Sequence, residues 1–246
     1  MSHTCPEDHE VVSTSSNAVP RWKRVLDVML ILLVLPVLLP VMLLIALLIW
    51  TVSDGPILFR QQRIGLRGRR FMCFKFRTMI VGNDTTIHQG HLQNLMSSDV
   101  PMVKMDAHGD PRIIRFGVPL RASGLDELPQ IINVLRGDMS LVGPRPCVPY
   151  EYEKYLPEQK QRFETLPGLT GLWQVSGKNN TTFAEMIRLD TEYAKKKTFW
   201  LDCKIILKTV PALIIQMLET HAKKKQFARS KQQPKAAVVP GGTVSR

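Results

Sequence analysis

Asp126 and Glu127 stand side by side in Arg121-Ala-Ser-Gly-Leu-Asp126-Glu127-Leu-Pro129-Gln. Leu128, Ile131, Ile132 and Leu135 then recur at helical spacing, with Gly137 suited to the C-terminal cap. That pattern predicts a helix with Asp126 as its N-cap and Pro129 in the first turn, where a missing N–H costs nothing. Backbone N–H groups and the helix dipole favour an anion there. Two adjacent carboxylates repel unless a cation shares them, and Asp and Glu oxygens holding Mg²⁺ beside a phosphate are the usual solution. The plain alternative for this segment alone is a capped helix with an acidic first turn. Downstream, Gly143-Pro144-Arg145-Pro146 sets one arginine between two prolines. A guanidinium on so stiff a backbone suits two-pronged phosphate binding.

Such residues need a framework, and the strongest framework signal is an apolar run, Val28–Trp50, of 23 residues. As a continuous helix it measures about 35 Å, enough to span a bilayer. Pro36 and Pro40 fall inside it, and each removes a backbone donor and bends the helix. Arg21, Lys23 and Arg24 precede the run; Arg60, Arg63, Arg67 and further basic residues follow it. Basic flanks prefer the cytoplasmic side, so a re-entrant helix that kinks at proline and returns is favoured over a simple span. A buried soluble helix fits poorly, because no face of the run is polar.

Residues 1–20 read as a disordered leader without the features of a secretory signal. The next unit is the membrane helix, residues 21–52, and the catalytic domain is placed at 53–220. Within it, residues 53–82 predict a β-hairpin with a Gly65/Gly68 turn, and 83–111 a polar loop. Residues 150–165 and 182–197 read as charged amphipathic helices, and 198–220 as an interfacial or core helix. The tail, 221–246, carries seven lysines and arginines and no acid; it is expected to be disordered and drawn to anionic lipid. The formal net charge of +12 also implies anionic partners. Cys5, Cys73, Cys147 and Cys203 form no Cys-x-x-Cys pair, which argues against a disulfide framework or zinc site. His88 and His91 lack a ligand set and read as loop residues.

The sequence resembles the bacterial sugar transferases, the monotopic polyprenyl-phosphate phosphoglycosyl transferases. The motifs lie in order over roughly residues 22–210. They are Lys23-Arg24-x-x-Asp27, Gly55-Pro56 through Phe59-Arg60-Gln61, Arg63-x-Gly65, Lys75-Phe-Arg77-Thr-Met79 and Asp110-Pro-Arg112. Leu125 to Gln130, Arg136 to Pro146 and Pro167 to Trp173 complete the set. The resemblance implies an α+β fold, predominantly helical with a small β-hairpin, anchored by the re-entrant helix and interfacial amphipathic helices on the cytoplasmic face of the bacterial inner membrane. It further implies that Asp126 attacks the β-phosphate of a UDP-sugar and expels UMP. A phosphosugar–aspartyl intermediate would then pass its group to polyprenyl (undecaprenyl) phosphate, starting exopolysaccharide, capsule or O-antigen synthesis. Mg²⁺ would be held by Asp126 and Glu127, with Glu127 a possible general base and Arg121 and Arg145 offsetting phosphate charge. Lys75, Arg77 and Asp190 are further candidates for substrate contact, weighed against incidental surface salt bridges. Downstream glycosyltransferases are natural partners.

Three departures from the family pattern stand out: Leu39-Pro40 where Ser-Pro is usual, Ile114 where threonine is usual, and the basic Lys195-Lys196-Lys197. A competing reading is a catalytically inactive membrane scaffold of a polysaccharide assembly complex. The intact Asp126, Glu127 and Arg145 argue against it. A nucleic-acid binder is excluded by the lack of any recognised motif and of aromatics between the basic runs.

Overall fold

The computed structural model describes residues 19–80, 90, 93–96, 98, 100–102, 112–177 and 180–232, with side chains up to Leu218. Most of the leader, His88, His91, Asp110, Pro111 and the end of the tail therefore lie outside the described residues.

Helix α1 (Arg21–Val52) is one helix that contains both Pro36 and Pro40. It is long and apolar enough to cross a membrane. Its buried residues Lys23, Asp27, Ile31, Ile45 and Ile49 are separated by one helical turn or by multiples of it, so they form a single stripe. That stripe lies on the rest of the protein at both ends of α1, while none of residues 32–44 is buried. Ile31 packs with Cys73, Ile131, Val134 and Met139, while Ile45 and Ile49 pack with Phe76, Ile114 and Leu120. The other side, including Met29, Leu33, Val37, Leu43 and Trp50, is exposed.

The basic residues at the start of α1 do more than mark its orientation. Lys23 is completely buried and donates to the Val142 carbonyl at 2.7 Å, the Tyr193 hydroxyl at 2.9 Å and Asp202 Oδ2 at 2.6 Å. Asp27 Oδ1 accepts from the Leu141 N–H at 3.0 Å. Arg24 donates to the carbonyls of Val134 and Leu135, adding side-chain donors to the C-terminal end of a short helix.

Strands β1 (Leu58–Ile64) and β2 (Arg70–Phe76) form the expected antiparallel hairpin, in register from Leu58↔Phe76 to Ile64↔Arg70. Helix α2 (Gly117–Ser123), a 3-10 turn (Leu125–Gln130) and helix α3 (Ile131–Arg136) follow. Helix α3 docks on the free edge of β2 through one side chain. Asn133 Oδ1 accepts from the Phe74 N–H at 3.1 Å, and its Nδ2 donates to the Met72 carbonyl at 2.7 Å. A buried amide thus stands in for a neighbouring strand.

A second small sheet was not expected. Strands β3 (Ser140–Val142) and β4 (Gly168–Thr170) pair in parallel, extended by the Gly143 N–H to Thr170 and the Gly168 N–H to Pro144, both at 2.9 Å. A Cβ on Gly143 would lie 2.2 Å from the Leu166 carbonyl oxygen, and one on Gly168 2.1 Å from the Gly143 nitrogen. Two backbones crossing this closely admit only glycine, which accounts physically for both glycine-bearing motifs.

Residues 150–165 do not form one helix. They divide into α4 (Pro149–Tyr152) and a 3-10 turn (Gln159–Glu164), because Pro157 biases the residue before it away from helical backbone. After the short α5 (Leu172–Val175), helix α6 (Phe183–Lys196) starts at a capping box between Thr182 and Glu185. Its apolar face, with Phe183, Met186 and Tyr193, is buried in the domain. Helix α7 (Phe199–Gln232) turns Asp202, Ile205 and Gln216 inward and leaves Trp200, Leu207, Ile215 and Leu218 exposed, as an interfacial helix would. It continues past residue 220, where a disordered tail was expected; no glycine or proline interrupts the chain between Pro211 and Pro234.

Replacing Lys23 by methionine leaves the Asp202 carboxylate buried without its cation, which should destabilise the protein by about 3–5 kcal/mol. Adding Asp202→Leu should recover most of that loss. Thermal unfolding of the two variants in detergent measures both.

Candidate active site

Gly124, with a left-handed φ of 75°, ends α2 and opens the turn that carries Asp126 and Glu127. The capping position therefore belongs to Gly124. Asp126 lies within the first turn of a 3-10 helix, and the α-helix begins only at Ile131. The N-cap role expected for Asp126 is thus replaced by a place inside a tighter turn, where a glycine can adopt the backbone angles that the entry requires.

Asp126 is 8% exposed, so its carboxylate has little bulk water to stabilise it. Glu127 is 39% exposed and pairs with Lys75 on β2 at 2.6 Å. Arg121, in the last turn of α2, donates to Thr78 Oγ1 at 3.4 Å. One neighbourhood thus holds two carboxylates, a lysine and an arginine, drawn from β2, α2 and the turn. From α7, Gln216 donates to the Ala122 carbonyl at 3.1 Å and ties down the end of α2 just before the turn. Among the described residues, no three His, Cys, Asp or Glu side chains gather to hold a metal. Two adjacent carboxylates nevertheless fit Mg²⁺, which usually takes one or two from the protein and completes its shell with phosphate oxygens and water.

Arg77 does not join this group. It is buried and donates to the carbonyls of Ser53, Asp54 and Gly55, at 2.6 Å for Ser53, clamping the connection between α1 and β1. Asp190 is not a surface ion pair. It is fully buried and pairs with Arg162, which is equally buried. Asp190 Oδ2 also accepts the Arg145 N–H at 3.3 Å, and Arg162 donates to the Arg145 carbonyl at 2.8 Å. The backbone of Arg145 is therefore gripped on both sides by a buried ion pair, in addition to its flanking prolines. The sequence singled out Arg145 but missed Arg162, which sits in an ordinary charged stretch with no local signal of burial.

The hairpin links the two groups. From β2, Lys75 reaches Glu127; from β1, Arg63 donates to the Pro146 carbonyl at 3.0 Å, beside Arg145. Burial pushes the Asp190 carboxyl up to about 6 even with Arg162 alongside. Its folded value thus lies above the roughly 3.9 of an unfolded aspartate. The folded state binds the extra proton, and stability falls as pH rises across that interval.

A long apolar helix carrying a domain that gathers carboxylates from one turn and cations from β2 and α2 points to a membrane-associated protein. Residues 18–216 match the family model described as bacterial sugar transferase, and the chain belongs to that family. It is 44% identical over 164 residues to the galactosyl transferase CpsE of Streptococcus agalactiae, covering 66% of this chain and 36% of CpsE. It is 38% identical over 193 residues to the exopolysaccharide production protein ExoY of Sinorhizobium fredii, covering 78% of this chain and 85% of ExoY. A third relative, from Caulobacter vibrioides, is named UDP-glucose:undecaprenyl-phosphate glucose-1-phosphate transferase; identity is 43% over 205 residues, covering 80% of this chain and 71% of that protein. The chain thus spans about a third of CpsE but most of ExoY.

Relative to Asp190→Asn, whose amide does not titrate, the wild-type protein should lose stability as pH rises from about 4 to about 6 and level off above that. Unfolding midpoints of the two proteins across this range check the sign. A gap growing in favour of the wild type would mean that attraction to Arg162 outweighs burial.

Proposed function

We propose that this protein transfers a sugar 1-phosphate from a UDP-sugar to undecaprenyl phosphate, releasing UMP, as an early step of exopolysaccharide or related glycan synthesis. The observation that carries this reading is the shielded Asp126 carboxylate beside the Glu127–Lys75 pair and Arg121, in a family whose relatives bear such names. An Asp126 oxygen forms a bond to the β-phosphorus of the UDP-sugar, and the bond from that phosphorus to the bridging oxygen breaks. UMP leaves with the electron pair. A phosphate oxygen of the lipid then attacks the same phosphorus and frees the Asp126 carboxylate, which leaves a diphosphate between sugar and lipid. Dividing one displacement into two is the usual use of a carboxylate nucleophile.

Burial serves this chemistry. A carboxylate with little water around it attacks without first shedding a hydration shell, and fixed charges act more strongly there. Lys75 holds Glu127 in place, and Arg121 and Arg145 offset the charge of the phosphates. Mg²⁺ held by Asp126 and Glu127 would supply further charge neutralisation.

Both ends of α1 are fastened to the same domain, through Lys23 to Asp202 at one end and through Arg77 to Ser53 beyond the other. This supports the reading that α1 enters the cytoplasmic leaflet and returns, bending where Pro36 and Pro40 lack donors, with the catalytic domain inside the cell where UDP-sugars are made. A helix crossing the membrane from one side to the other could not have both of its ends fastened to one cytoplasmic domain.

The isosteric Asp126→Asn should reduce UMP release to below a few per cent of wild type while leaving the unfolding temperature unchanged. Substantial turnover by this variant would refute the covalent route. For topology, a single cysteine near Ser15, in a background without native cysteines, should react with an impermeant thiol reagent only after lysis. Labelling in intact cells would mean that α1 spans.

A further inference from the structure

Arg60 on β1 and Arg136 at the end of α3 both lie against the ring of Phe74, their guanidinium carbons 5.8 and 5.1 Å from its centre. Arg24 reaches the same end of α3, where it donates to the carbonyls of Val134 and Leu135. Among the described residues neither Arg60 nor Arg136 has a carboxylate partner; Asp138, nearest to Arg136 in the chain, accepts from Asn133. Arg60 and Arg136 are exposed. An exposed cation–π contact returns only about 0.5–1 kcal/mol, so two guanidinium groups against one ring are better explained by an oxyanion placed between them. Arginine, with its planar fork, is the side chain that binds a phosphate through two parallel hydrogen bonds.

The surroundings indicate which anion. Met72, on the same face of the hairpin as Phe74, and Leu135, next to Arg136, are exposed apolar side chains. On α1, Val25, Met29 and Leu32 continue the apolar surface from Arg24. A cationic cluster bordered by exposed apolar side chains matches a headgroup phosphate with acyl chains beside it, and a small soluble anion would need no such border. The cluster is also separate from the candidate active site: along β1 and β2, Arg60 and Phe74 point to one face, Phe59 and Lys75 to the other.

We propose that Arg60 and Arg136 form a binding site for the phosphate of an anionic phospholipid. It holds the hairpin and α3 at the membrane surface where α1 enters. The inference rests on α1 lying at a membrane and is independent of the reaction catalysed.

Native mass spectrometry of the full chain in detergent, titrated with equal amounts of phosphatidylglycerol and phosphatidylcholine, tests it. The wild type should retain phosphatidylglycerol in preference by about tenfold, the effect of one charge-assisted contact. Arg60→Gln with Arg136→Gln should bring the two lipids close to parity, with unfolding temperature and UMP release unchanged. The corresponding double lysine variant, which keeps the charge but loses the planar fork, should bind phosphatidylglycerol more weakly than wild type; if the glutamine variant unfolds, this comparison decides. No preference in the wild type, or a full preference in the variants, overturns the proposal. So does an increased KM for the lipid acceptor with phosphatidylglycerol binding intact, since the cluster would then serve the substrate.

Discussion

A buried ammonium is costly to place, by several kcal/mol, unless all three of its donors find acceptors. Lys23 finds three, and they come from three different parts of the chain: β3, α6 and α7. The interaction therefore joins four elements at one point. Val142, one of the acceptors, is followed directly by the glycine crossing that leads into Arg145. Asp202, another, begins the helix that returns through Gln216 to the end of α2 beside Asp126. Tyr193 contributes a second bond to Asp202 at 2.6 Å, so the carboxylate is shared rather than left one-sided. Both groups of candidate site residues are thus fixed relative to the membrane helix by the same ammonium.

From that point the hairpin distributes the geometry. Strand β1 fastens the Arg145 loop through Arg63, and β2 fastens the acidic turn through Lys75. The free edge of β2 is closed by Asn133, which gives the short α3 a fixed position despite having fewer than two turns of its own. The neighbouring loops are constrained by steric limits as well as by attraction. Gly143 and Gly168 let two backbones approach to a separation that no side chain would survive, and beside them Asp190 accepts the Arg145 N–H while Arg162 donates to the Arg145 carbonyl. Stiffness at Arg145 has two sources, local proline geometry and a buried ion pair distant in sequence.

The exposed apolar surface has a simple origin. The stripe of α1 facing the domain is the same stripe that carries Lys23 and Asp27, so the polar residues face inward and the fully apolar side faces outward. This reverses the usual arrangement of a soluble amphipathic helix, and α7 shares it, with Asp202 inside and Trp200 outside. Lipid is the medium in which such an arrangement is stable.

By itself the sequence determined whatever depends on near neighbours. The hairpin follows from two short apolar runs, at 57–59 and 71–74, about a glycine turn, the start of α6 from Thr182 and Glu185, the end of α3 from Gly137, and the membrane helix from an unbroken apolar run. The adjacent carboxylates at Asp126 and Glu127, and the cations Lys75 and Arg121 that the structure brings to them, were likewise readable from motif order. The tertiary structure decided the placement of every other charge. Arg77 and Asp190 read as substrate contacts yet brace the main chain, and Lys23 read as an orientation signal yet sits in the interior, 179 residues from its carboxylate partner. The reason is electrostatic. Whether a charged side chain is exposed, paired or buried depends on the dielectric and the partners around it, and those are supplied by segments far away in the chain.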